Sequence, residues 1–105
     1  MSTQAAPRFQ ERRRSPRLPI RLSLVVCDGA RLREQTCTFS VNAHGMLVPL
    51  AAKVTIGQSL VLHNPENWAE RHGRVISLGR HYAGRTEVGI EFTEPAPDFW
   101  LIHKV

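Results

Sequence analysis

Two short stretches of the chain carry side chains suited to recognising a ligand. The first is Arg13-Arg14-Ser15-Pro16-Arg17. Arg13 and Arg17 stand at an R-x-x-x-R spacing, with Arg14 between them, and Pro16 and Pro19 on either side of Arg17 disfavour helix there. A guanidinium is a planar fork of donors. It matches phosphate oxygens and the O6/N7 edge of guanine, and it stacks on the face of a base. The second stretch is Ser40-Val41-Asn42-Ala43-His44-Gly45. On an extended backbone Ser40 and Asn42 point to one face, where a hydroxyl and an amide can read a base edge. Gly45 permits a turn and the close approach of a ligand to the backbone.

The distribution of charge sharpens the first stretch. The chain has 105 residues, 42% of them hydrophobic, which is room for one domain with a modest core. Its formal charge is +5. Residues 8–21 hold six arginines (Arg8, Arg12, Arg13, Arg14, Arg17 and Arg21) and one acid, Glu11, a local net of +5. Eight bases against eight acids remain elsewhere. A neutral domain therefore carries one cationic arm, and one anion-binding locus is expected rather than a basic coat. Binding to nucleic acid is not expected, because no strand carries a row of bases.

Other function classes lack their signatures. The densest apolar stretch, Leu22 to Cys27, is short and broken by Ser23, so no membrane span is expected. Residues 1–10 lack an apolar signal region, and a cytoplasmic location follows as the expectation. Cys27 and Cys37 read as small buried hydrophobes in a reducing compartment, on neighbouring strands. The five histidines are scattered without metal-ligand spacing, and His44 receives no role. Glu87 and Glu91 have the spacing of neither a catalytic dyad nor a metal site. No nucleophile elbow, P-loop or dinucleotide fingerprint is present, so neither an enzyme nor a cofactor is expected. Trp68 and Trp100 read as core or rim anchors.

The elements that would position the two stretches are strands. Residues 1–11 lack periodicity and read as a flexible arm, leaving 12–105 as a single domain. Ile20, Leu22, Leu24 and Val26 alternate as one face of a first strand, ended by Asp28-Gly29. A second strand is expected over about Arg33–Ser40, then a turn at residues 42–45 and a third strand at Met46-Leu47-Val48. Ser59–His63, Arg71–Leu78 and Thr86–Thr93 complete six, with residues 79–84 as a hairpin connection. Asp98 is placed to start a short C-terminal helix or turn whose Phe99 and Ile102 pack on the sheet. The whole predicts an all-β protein, a small six-stranded antiparallel barrel.

In this setting the chain resembles the PilZ domain family of bacterial second-messenger receptors over about residues 11–103. The resemblance is carried by Arg13-x-x-x-Arg17, Ser40 to Gly45, Gly57-Gln58-Ser59-Leu60, His72-Gly73-Arg74-Val75-Ile76 and Val88-Gly89-Ile90-Glu91-Phe92. It implies a β-barrel that binds cyclic di-GMP. Arg13, Arg14 and Arg17 would clamp the phosphates and one guanine, and Ser40, Asn42 and Gly45 would contribute the opposite wall. The chain departs from the family at that wall, placing Ser40 where the family has Asp or Asn and Asn42 where it has Ser. A serine cannot grip the guanine N1–H and N2–H₂ in the forked manner of a carboxylate. Losing one bidentate base contact costs about 1–3 kcal/mol.

Three functions are thereby set against one another. The first is a cyclic di-GMP receptor whose arm orders over the ligand and signals in trans to a protein partner. The second is a PilZ-like adaptor that binds protein and no nucleotide. The third, a nucleic-acid binder using the arginine arm, is opposed by the neutral domain.

Overall fold

The computed structural model describes residues 18–29 and 32–100. The expectations for the arm at 1–11, for Arg13, Arg14 and Arg17, and for Ile102 lie outside the described residues. Seven strands form one antiparallel sheet curled into a half-barrel: β1 Ser23–Asp28, β2 Leu32–Cys37, β3 Ser40–Val41, β4 Gly45–Leu50, β5 Ser59–Asn64, β6 Ala69–Tyr82 and β7 Arg85–Phe92. Their order across the sheet is β2-β1-β5-β6-β7-β4-β3. Among the described residues there is no helix, hence none long and apolar enough to cross a membrane.

The all-β reading of the sequence stands, with one more strand than expected. The additional strand arises where Arg33–Ser40 was expected to be continuous. Thr38 is buried, and its hydroxyl donates to the Ile20 carbonyl at 2.7 Å and accepts the Leu22 amide at 2.9 Å. A side chain that bonds backbone in this way competes with the ladder, so β2 stops at Cys37 and β3 begins at Ser40. The same bonds hold residues 20–22 out of β1, which starts at Ser23 rather than at Ile20.

The core follows the period-two pattern. β4 and β5 bury alternate residues, so Met46, Val48, Leu50, Leu60 and Leu62 point inward with Leu24, Val26, Val88 and Ile90. Each such side chain removed from water stabilises the fold by about 1.5–3 kcal/mol. Phe92, Phe99 and Trp100 fill one end as an edge-to-face cluster. The described part of the expected C-terminal element is a turn, with the Phe99 amide on the Ala96 carbonyl at 3.1 Å. Trp68, however, is 84% exposed and belongs to neither core nor rim. Cys27 and Cys37 are free and only half-buried. Their strands are neighbours, but Cys37 stands opposite Ser23, four residues along from Cys27. That is about 13 Å at strand rise, beyond disulfide reach.

Between β2 and β4 the sheet is joined by a seam of individual bonds. The Phe39 amide donates to the Leu47 carbonyl, and the Thr36 hydroxyl donates to the Pro49 carbonyl at 2.7 Å. Beyond these, the Glu34 carboxylate accepts the amides of Ala51 at 2.7 Å and Ala52 at 3.1 Å. Pro49 is tolerated within β4 because its nitrogen lies on the same side as its seam-facing carbonyl, so no β7 bond is lost. Glu34→Ala removes both carboxylate bonds. It should cost about 1–3 kcal/mol, read as a lower denaturant midpoint with faster amide exchange at Ala51 and Ala52. Unchanged exchange at those two amides would contradict the seam.

Candidate ligand-binding site

The first described residue after Arg17 is paired with the second stretch. Leu18, which follows Arg17 in the sequence, exchanges two backbone hydrogen bonds with Val41, at 2.8 and 3.0 Å. Val41 lies between Ser40 and Asn42, at the centre of the second stretch. Pro19 makes this possible. The Ile20 amide closes a tight three-residue turn on the Leu18 carbonyl at 2.7 Å, and Thr38 then secures Ile20 and Leu22. Residues 18–22 are thus tied to the sheet by five hydrogen bonds to β3 and Thr38, besides the turn itself, counting the Thr38 amide on the Leu22 carbonyl.

The second stretch forms a closed turn. Val41 is fully buried, so Ser40, half-buried, faces the other way from β3. The Asn42 side-chain oxygen accepts the amides of His44 at 2.8 Å and Gly45 at 2.9 Å, and the Asn42 amide donates to the Gly45 carbonyl at 3.0 Å. This is an Asx turn, with the carboxamide oxygen engaged by backbone. Two further bonds attach the turn to the end of β7 and to the segment after it: Phe92 amide to His44 carbonyl at 2.7 Å and Ala96 amide to Ala43 carbonyl at 2.9 Å. What Gly45 admits is the β7 backbone. A Cβ there would lie 2.2 Å from the Ile90 carbonyl oxygen.

Two residues not chosen from the sequence extend the site. Gly45 stands opposite Glu91, and Glu91 opposite Arg74. These exposed side chains line, with His44, Phe92, Thr93 and Pro95, a hollow of about 230 Å³. No ion pair joins Arg74 to Glu91, although the two are cross-strand neighbours. The hollow is smaller than the roughly 300–1,000 Å³ of whole small-molecule sites. Pairing register was the signal that would have found them, and two irregularities conceal it. Counting back from the Tyr82–Arg85 pair, Glu91 would oppose Ile76. The bulges at Val75/Ser77 and Leu78/His81 move its partner to Arg74.

The arrangement therefore offers a glycine turn, a hydroxyl, an acid and a base on the strands around the Leu18–Val41 bridge. Neither a family model nor a curated protein matches the sequence. Among solved structures the chain is similar to that of the Bacillus subtilis inhibitor of motility (MotI/DgrA), with a TM-score of 0.64 at 22% identity. The likeness covers 80% of this chain and 44% of the other, so the chain spans less than half the length of that protein. At this identity the likeness is one of fold.

Proposed function

We propose that the chain is a PilZ-like receptor module for cyclic di-GMP. In this reading Arg13, Arg14 and Arg17 hold the phosphates and one guanine, and the Ser40–Gly45 turn with its neighbours forms the opposite wall. The observation that carries it is the double hydrogen bond between Leu18, the residue next after Arg17, and Val41, in the middle of the second stretch. The all-β class expected from the sequence, the curled half-barrel observed and the likeness in fold to MotI/DgrA support the reading.

Titration calorimetry with cyclic di-GMP tests it. The chain should bind with a dissociation constant below about 100 µM at moderate salt. Arg17→Ala should weaken binding roughly ten- to hundredfold, the effect of losing one forked contact. A wild-type chain without measurable heat or affinity in that range would end the proposal.

A second reading, an adaptor that binds protein and no nucleotide, is favoured by one observation. The Asn42 side-chain oxygen already accepts two amides of its own turn. Under that reading Arg13→Ala and Arg17→Ala leave partner binding unchanged, and cyclic di-GMP does not alter it.

A further inference from the structure

Trp68 lies outside the site above and is unusual on two counts. It is 84% exposed, and its backbone φ is 61°, a region that bulky side chains enter only at a cost. The turn that imposes this conformation is braced on both sides. Asn64, almost fully buried, accepts the Glu66 amide at 2.9 Å and donates to the Phe99 carbonyl at 2.7 Å. Asn67 accepts the Ala69 amide at 2.8 Å and donates to the same carbonyl at 3.1 Å. The Trp68 amide itself donates to the Asn64 carbonyl at 2.8 Å. An indole is thus held out to solvent on a pre-organised backbone, which is how aromatic anchors of protein interfaces are presented.

A groove of about 910 Å³ adjoins this turn. Pro65 and Glu66 form part of its lining, together with Arg21, Phe39, Tyr82 and Arg85. Phe39 and Tyr82 are large apolar groups left exposed in it. We infer that Trp68 is the anchor of a two-fold dimer, entering this groove on a second copy of the chain. Aromatic rings and guanidinium groups are the surfaces an indole face packs on. Charge is self-complementary across the patch: the exposed Glu66, on the groove's own rim, and Glu70 stand two residues to either side of Trp68, and the groove also presents Arg21 and Arg85, which a second copy's acids would meet. Arg71, the remaining charge next to Trp68, is turned onto the Glu70 carbonyl at 2.7 Å. Anchor and groove share one turn, so a single two-fold axis seats both at once, as an isologous interface requires. The two acids flanking Trp68 argue against an anionic membrane surface as the occupant.

Sedimentation of the full chain between about 1 µM and 1 mM tests the inference. The wild type should pass from monomer to dimer, with tryptophan emission moving to the blue as Trp68 becomes buried; Trp100 is already buried and contributes a constant signal. Trp68→Asn keeps a side chain that tolerates positive φ. It should weaken association at least tenfold without lowering the melting temperature. Arg85→Glu should weaken it as well, and adding Glu66→Arg to the same chain should restore it. A wild type that stays monomeric throughout, or a Trp68→Asn chain that dimerises as the wild type does, overturns the inference. So does a blue shift on phosphatidylserine vesicles at concentrations where the chain remains a monomer.

Discussion

Replacing Phe99 by alanine should cost about 3–5 kcal/mol, the range for deleting a buried aromatic side chain. Phe99 has no exposed surface, and its ring meets Phe92 edge-on at 5.2 Å and Trp100 at 4.8 Å. Removing it opens a cavity between two rings that β7 and the final turn cannot both move to fill. The residue also has a second role through its backbone, since its carbonyl receives both Asn64 and Asn67. Displacing that carbonyl leaves two buried or half-buried amides short of a partner, which adds to the cost. Domains of this size have about 5–15 kcal/mol in total, so the variant should sit near the folding threshold. The check is a denaturant titration, in which the midpoint falls while the slope is unchanged. A loss below about 1.5 kcal/mol would show that the aromatic cluster is not what closes this end of the barrel.

Gly45→Ala should rank next, and the contrast with Gly89→Ala separates its cause from simple overpacking. At Gly45 the new Cβ meets backbone on every side: the Ile90 carbonyl oxygen at 2.2 Å, the Glu91 Cα at 3.0 Å and the Ile90 carbonyl carbon at 3.1 Å. None of these moves without breaking the β4–β7 ladder, so the cost should reach the upper end of the 1–3 kcal/mol seen for overpacked sites, or about that. At Gly89 the 2.2 Å neighbour is the Ser77 hydroxyl oxygen, which a rotamer change carries away, and the next atoms lie at 3.5 and 3.6 Å. That change should cost less than about 1 kcal/mol. Amide chemical shifts supply a second measurement: Gly45→Ala should perturb residues 42–45 and 90–96, the segments joined through the Asx turn. If the two alanines cost the same, backbone crowding at Gly45 is not the constraint.

These two residues illustrate what a linear reading could and could not reach. Gly45 was legible as the end of a turn, because Asn42 and a glycine at that spacing form Asx turns by local bonding alone. That its missing side chain serves the β7 backbone was not legible, since Ile90 lies 45 positions further along the chain. The sequence offers Asn42 as a base-reading amide, while an asparagine at a turn can instead cap its own backbone. The structure shows its oxygen in the second role, because two amides a few residues away are always at hand, whereas a ligand must arrive. Arg74 and Glu91 stood in motifs of the sequence without being joined as a site, because two bulges, set by long-range pairing, decide that they face each other. The exposure of Trp68 was not legible either. Trp68 was expected at the core or its rim, and the bonds of Asn64 and Asn67 within the turn and to the Phe99 carbonyl fix the backbone that displays it.

By itself the sequence determined the all-β class, the positions of most strands and turns, and a net charge confined to residues 8–21. Each of these depends on neighbours within a few residues: alternation of apolar side chains, glycine and asparagine at turns, and arginines in one run. Tertiary structure decided the rest. It split one expected strand in two through the Thr38 hydroxyl and joined β2 to β4 through Glu34. It also paired Leu18, next after Arg17 in the chain, with Val41. Those outcomes turn on which of several hydrogen-bond partners, far apart in the chain, wins each backbone group. That competition is resolved only when the sheet has curled and brought the partners within reach.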